Sequence, residues 1–166
     1  MNAGAYGGEL KDVLKEAVVM TEQGEILTLP VEKLDMGYRT SRIKKAGYLV
    51  LEARLVLEQG DMDKIRDITK DLTEKRVSKQ PLEYPSAGST FKRPEGYFAG
   101  KLIEDAGLRG FQVGGAQVSE KHCGFVINTG DATAEDVTEL IRQVAERVKA
   151  QSGVTLEPEV KLLGEF

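Results

Sequence analysis

The sequence predicts an α+β protein, with strands and helices mixed but not in strict alternation. Three stretches carry that prediction. Leu14–Leu29 has a strand–turn–strand pattern, Tyr48–Glu58 alternates with period two, and Ala134–Gln151 has an apolar stripe at helical spacing. In chain order, Leu14–Thr21 reads as a strand, and Glu22-Gln23-Gly24-Glu25 turns it back into Ile26–Leu29. In the second stretch, Leu49, Leu51, Ala53, Leu55 and Leu57 alternate with Val50, Glu52, Arg54, Val56 and Glu58, which predicts one apolar face. Asp61 then fits the N-cap of a helix in which Met62, Ile65, Ile68 and Leu72 recur at spacings of three and four. That helix is expected to end near Arg76, ahead of Lys79-Gln80-Pro81 and Pro85-Ser86-Ala87-Gly88. A short helix over Ala99–Ala106 stops at Gly107, Gly114-Gly115 marks a turn, and Gly124–Asn128 reads as a short buried strand. In the last helix Thr133 and Asp136 resemble a capping box, with aspartate in place of the usual glutamate or glutamine, and Val137, Leu140, Ile141, Val144, Ala145 and Val148 make one stripe ended by Gly153. Leu156–Leu163 is a strand candidate that Pro158 confines to an edge or a strand start.

Composition narrows the class of function. The chain has 166 residues, enough for one domain or two small lobes, with 40% hydrophobic and 30% charged residues. A net charge of −4 provides no general attraction to nucleic acid or to an anionic membrane. An anionic ligand therefore needs a local basic cluster. No apolar run approaches the roughly 18–20 residues of a membrane span. The start lacks the basic and apolar regions of a signal peptide. Cys123 is the only cysteine, and the expectation is a cytoplasmic protein with a reduced thiol.

Single residues say little on their own. Met1-Asn2-Ala3-Gly4-Ala5-Tyr6-Gly7-Gly8 reads as a flexible tail, or as a loop whose backbone meets a ligand closely. Ser89 follows a glycine in a turn, where serine is common. His122 adjoins Cys123, but no second histidine or cysteine exists to complete a metal site. As a nucleophilic pair the two are poorly placed, because neighbours on a strand point to opposite faces. Arg39 and Glu159 read as surface charges. Lys75, Arg76, Lys79, Lys92 and Arg93 bracket a glycine-containing loop, which is either a solvated face or a phosphate site.

Five segments taken in order go further. They are Asn2-Ala3-Gly4-Ala5-Tyr6-Gly7-Gly8; Gly37-Tyr38-Arg39-Thr40-Ser41; Lys79-Gln80-Pro81 with Pro85-Ser86-Ala87-Gly88-Ser89-Thr90-Phe91-Lys92; Gly114-Gly115-Ala116-Gln117-Val118; and Leu156-Glu157-Pro158-Glu159-Val160. Their order and spacing span nearly the whole chain, and together they resemble the UDP-N-acetylenolpyruvoylglucosamine reductase family. The short path from Arg39 to Ser89 is similar to the compact branch, which lacks an extra tyrosine-bearing loop.

The resemblance implies an NADPH-dependent flavin oxidoreductase of peptidoglycan synthesis, with FAD and NADPH as cofactors. Its substrate would be UDP-N-acetylglucosamine enolpyruvate and its product UDP-N-acetylmuramate. It implies Ser89 as proton donor, with Arg39 and Glu159 as catalytic partners. Asn2, Ala3, Gly4, Ala5, Tyr6, Gly7 and Arg76 would lie on the flavin, and Lys79, Arg93 and His122 on the diphosphate side of the substrate. The implied fold is a remnant of a flavin-binding domain over residues 1–75, a small α/β substrate-binding domain over 76–153, and a returning strand over 154–166 that carries Glu159. Family members carry a further flavin-binding region, with a glycine-rich pyrophosphate loop, ahead of the segment matching Asn2–Gly8. The expectation is a chain lacking that region and incomplete for activity alone. A non-catalytic UDP-sugar-binding module is the alternative.

Overall fold

Contacts divide the chain into two units, Met1–Leu72 and Thr73–Phe166. The computed structural model describes residues Met1–Gly164; Glu165 and Phe166, the end of the expected C-terminal return, lie outside the described residues.

The glycine-rich opening is a hairpin. β1 (Gly4–Ala5) pairs with β2 (Gly8–Glu9) across Tyr6 and Gly7, whose φ values of 52° and 89° are the paired positive angles favoured by two-residue hairpin loops. β3 (Leu14–Met20), β4 (Ile26–Pro30), α1 (Arg42–Lys45), β5 (Leu49–Leu55) and α2 (Met62–Lys79) follow. The sheet order is β4-β3-β5, antiparallel throughout. Leu14, Ala17 and Val19 of β3 and Leu34 form the buried core, and Leu27, Leu29, Val31 and Ile43 pack against it.

β5 departs from the expected alternation. Val18 pairs with Glu52 but Val19 with Val50, so Leu51 is an extra residue. This bulge changes which side chains share a face. Val50 and Ala53 lie on the side of Val19 and Ala17, while Glu52 and Arg54 lie on that of Val18 and Glu16. On that second side, Arg54 bonds Glu16 at 2.7 Å. A single face of Leu49, Leu51, Ala53, Leu55 and Leu57 is not formed, and all of β5 is exposed. α2 likewise has no buried residue. Asp61 caps it as expected, its Oδ1 accepting from Lys64 N at 3.0 Å. The helix continues past Arg76 to Lys79, with Gln80 N still donating to Arg76 O at 2.9 Å, because the first proline is Pro81.

In the second unit β6 (Ser86–Ser89), α3 (Ala99–Asp105), β7 (Gln112–Val113), β8 (Ala116–Val118), β9 (Phe125–Asn128) and α4 (Ala134–Ser152) build a sheet of order β6-β9-β8-β7 with two helices. The α4 stripe makes the core: Leu140, Ile141, Val144 and Val148 bury against Ile103, Ala116, Val118 and Val126. The capping box is present, with Thr133 Oγ1 accepting from Asp136 N at 3.1 Å and Asp136 Oδ2 accepting from Thr133 N at 3.0 Å. Asp136 Oδ2 also accepts from Gly115 N at 3.2 Å. A Cβ on Gly115 would lie 2.4 Å from Ala132 N, so this turn needs glycine. Gly153, at φ 73°, ends the helix.

The C-terminal strand does not form. Lys92 N donates to Glu157 O and Glu159 N to Thr90 O, each at 2.8 Å, around an isolated Phe91–Pro158 bridge. Pro158 has no N–H to extend a ladder. His122 and Cys123 lie in a turn before β9, not on a strand. No helix among the described residues is long and apolar enough to cross a membrane.

Candidate functional site

Ser89 sits at the end of β6, where three residue steps, Ser86 to Ser89, oppose two steps of β9, Ile127 to Phe125. Gly88, at φ 88°, supplies the left-handed geometry of this bulge, and its N–H bonds Ser86 Oγ at 3.2 Å. The result separates neighbours: Ser89 is exposed, while Thr90 is 3% exposed. Thr90 is the anchor. Its Oγ1 accepts from Val126 N at 3.0 Å, its N–H donates to Gly124 O at 2.9 Å, and its carbonyl accepts Glu159 N. One bonded pair therefore sets Glu159 beside the Ser89 strand from 70 residues further along the chain. Thr90 and Val160 also line a largely apolar cavity of about 220 Å³ with Ser86, Val126, Val137 and Ile141.

The basic cluster divides. Lys92 is held by an ion pair with Glu157. Arg76 and Lys79 are exposed in the last turn of α2. Lys121 Nζ bonds the Val77 carbonyl at 2.9 Å and lies 3.5 Å from Glu83, tying that turn to the loop of His122. His122 Nδ1 accepts from Gly124 N at 3.0 Å, which leaves Nε2 as the nitrogen that carries a proton in the neutral ring. A Cβ on Gly100 would stand 3.3 Å from His122 Cε1, so the start of α3 packs closely on that ring. Arg93 Nε donates to Tyr97 O at 3.2 Å, and its guanidinium lies 4.0 Å from the Phe98 ring centroid. Burial raises the Cys123 thiol pKa, with Arg109 opposing, so the thiol is protonated at neutral pH.

Arg39 and the Asn2–Gly7 residues belong to the first unit. Tyr38 and Arg39 form a two-residue loop closed by reciprocal Gly37–Thr40 bonds of 3.2 Å, with Arg39 at φ 55°. Asn2 bridges to Tyr38, so the opening hairpin and the Arg39 loop are neighbours. Asn2 is 2% exposed; its Nδ2 donates to Glu9 Oε2 at 2.9 Å and its Oδ1 accepts from Lys11 N at 3.0 Å. Its side chain shapes the loop. Cβ atoms added to Gly7 and Gly8 would meet nothing within 4 Å, so bare backbone faces open space there.

Residues 80–163, just over half of the chain, match the family described as UDP-N-acetylenolpyruvoylglucosamine reductase, C-terminal domain. The chain belongs to the UDP-N-acetylenolpyruvoylglucosamine reductase family. Among proteins carrying that name, one from Lachnoclostridium phytofermentans is 64% identical over 99% of this chain and 53% of its own length. Another, from Agathobacter rectalis, is 63% identical over 100% of this chain and 53% of its own. The chain thus spans about half the length of the curated reductases it matches. The crystal structure of the Thermus caldophilus reductase superposes with a TM-score of 0.82 at 35% identity, over 97% of this chain and 57% of that one.

Three residues around the reductase motifs escaped the sequence reading. Thr90 lies inside the Ser89 motif, and its anchoring role follows only from strand pairing. Ser41, in the Arg39 motif, is 1% exposed with a hydroxyl that has no hydrogen-bond partner among the described residues. Phe98 carried a signal, an apolar residue just ahead of a predicted helix, yet it is 62% exposed.

Proposed function

We propose that this chain carries residues of a flavin-dependent reductase that converts UDP-N-acetylglucosamine enolpyruvate to UDP-N-acetylmuramate with NADPH, in the cytoplasmic synthesis of peptidoglycan precursors. The observation that supports this reading is the Glu159–Thr90 bond, which holds the backbone of Glu159 against the residue that follows Ser89. Residues 1–75 are assigned to the flavin side and 76–153 to the substrate side, with Glu159 brought in by the C-terminal segment.

The bare backbone at Gly7 and Gly8, in the hairpin that follows the Asn2 bridge to Tyr38, fits the close approach of a flat, polar ring. Asn2, Ala3, Gly4, Ala5, Tyr6, Gly7 and Arg76 are the proposed contacts, and the Asn2 side chain also holds the hairpin. FAD, when bound and reduced by NADPH, would supply the hydride that adds to the enolpyruvyl double bond. The carbon next to the one that gains hydride then carries enolate-like charge. Ser89, exposed on a fixed bulge, donates its hydroxyl proton to that carbon; so weak an acid requires a strongly basic acceptor at short range. Arg39 stabilises the substrate carboxylate and the charge that develops on it. Glu159 hydrogen-bonds the same centre in its protonated or proton-sharing form. Lys79, Arg93 and His122 hold the diphosphate.

The test joins this sequence to the remaining half of the Lachnoclostridium phytofermentans reductase and follows each half-reaction by stopped-flow flavin absorbance. Ser89→Ala is expected to leave reduction by NADPH near normal and to slow reoxidation by substrate about 10²–10⁴-fold. Ser89→Cys, with a more acidic group in nearly the same place, recovers part of that rate. Equal slowing of both halves would show that Ser89 shapes the bulge and donates no proton.

A further inference from the structure

We propose that the exposed ring of Phe98, backed by Arg93, is a stacking platform for the pyrimidine base of a nucleoside diphosphate. The inference deepens the reading of Lys79, Arg93 and His122 as diphosphate ligands and rests on it. The platform is built locally. Tyr97 N donates to Pro94 O at 3.1 Å and Gly96 adopts φ 76°, so the chain turns back and brings Phe98 against Arg93. The Phe98 carbonyl accepts from Lys101 N at 3.0 Å and Leu102 N at 3.1 Å, which pins the residue at the head of α3. Ala99 and Ile103, 8% and 1% exposed, root that helix in the core. A rigid mount thus holds a phenyl ring that stays 62% exposed, although phenylalanine ordinarily gains stability by burial. With a guanidinium 4.0 Å from the ring centroid on one face, the other face is left for a flat partner.

The surroundings select the partner. The start of α3 packs on His122 through Gly100, and Lys121 ties the His122 loop to the end of α2 that carries Lys79. Arg93 stands on the ring itself, and these contacts link the segments of His122 and Lys79, all in the second unit, to the helix that Phe98 heads. A ligand with an anionic diphosphate at one end and an aromatic base at the other satisfies both. Phenylalanine has no hydrogen-bonding group, so it supplies stacking and leaves the choice among bases to other contacts.

The experiment titrates UDP and inorganic pyrophosphate separately into the 166-residue chain by calorimetry. The proteins are wild type, Phe98→Ala, Phe98→Tyr and Lys79→Ala. Loss of one base–aromatic stack weakens binding by about tenfold or more. Phe98→Ala should therefore weaken UDP by that factor and leave pyrophosphate unchanged. Phe98→Tyr should bind UDP like the wild type, and Lys79→Ala should weaken both ligands. If Phe98→Ala binds UDP normally while Lys79→Ala does not, the platform is wrong and the diphosphate reading stands. If Phe98→Ala weakens UDP and pyrophosphate alike, the ring only positions Arg93 and the proposal fails. A Phe98→Tyr protein as weak as Phe98→Ala also overturns it. No UDP binding by the wild type sinks both readings together.

Discussion

α2 and α4 are nearly equal in length, 18 and 19 residues, and both were foreseen from apolar residues three and four apart, yet they end in opposite environments. In α4, Leu140, Val144 and Val148 are 0% exposed; in α2, Met62, Ile65 and Ile68 are 74%, 53% and 59% exposed. The same contrast separates β9, three of whose four residues are buried, from β5, which has none. Periodicity therefore reports that an element exists and, in the two helices, which residues share a side. It does not report what covers that side. Helices of this length in water draw most of their stability from tertiary packing, and α4 has that packing.

The widest expected gap between the two helices comes from core truncation. Leu140→Ala removes a wholly buried side chain and should cost about 2–5 kcal/mol in urea unfolding. Ile68→Ala, on the exposed α2, should stay within about 0.5 kcal/mol. A large cost at Ile68 would mean that α2 is covered in solution, and sedimentation would then show an assembly.

Capping sharpens the contrast with a smaller effect. Thr133→Ala should lower the stability of the second unit by about 1 kcal/mol, because it leaves the Asp136 N–H of a core helix unpaired. Asp61→Ala removes the same kind of bond from Lys64 N. It should accelerate amide exchange in the first turn of α2 and leave the unfolding midpoint of the second unit in place. A shifted midpoint would show that α2 and the second-unit core unfold together.

The smallest difference is acid dependence. Arg142, with help from Gln143, lowers the Glu139 pKa from 4.5 to about 2, and the backbone N–H groups of Thr133 and Gly115 lower that of Asp136 below 3.8. Both folded-state values are depressed. Their contribution is therefore fully present above the ordinary carboxylate range and is lost as pH falls through the folded values. The melting temperature of the second unit should decline on acidification from about pH 5 toward 2, and Glu139→Gln should flatten that decline. Glu139 and Arg142 are solvent-accessible, so added salt should reduce the effect. An unchanged slope in Glu139→Gln would remove the Glu139 pair from the account.

Much of the candidate site was legible as short motifs, because each motif is also a local structure. Gly88-Ser89 is a bulge, Tyr38-Arg39 a closed two-residue loop, and Tyr6-Gly7 a hairpin turn. What could not be read was the junction of separate motifs. Nothing near Thr90 in the chain announces that its carbonyl will take the Glu159 N–H, and nothing near Phe98 announces that its ring stays in water behind Arg93. The single apolar face expected of β5 failed for a related reason. The extra residue at Leu51 depends on how β3 pairs, and one inserted residue changes the facing of everything beyond it.

The α+β class, the helix caps, the glycine turns and the stripe of α4 were all decided over a few neighbouring residues. Backbone sterics and short-range hydrogen bonds act at that distance, and residue order states them directly. The burial of α4 against the exposure of α2, the bulge in β5 and the pairing of Thr90 with Glu159 were decided by folding. Each depends on which distant segment arrives to exclude water or to complete a hydrogen bond. The energy of that encounter belongs to pairs of segments, and neither segment encodes it alone.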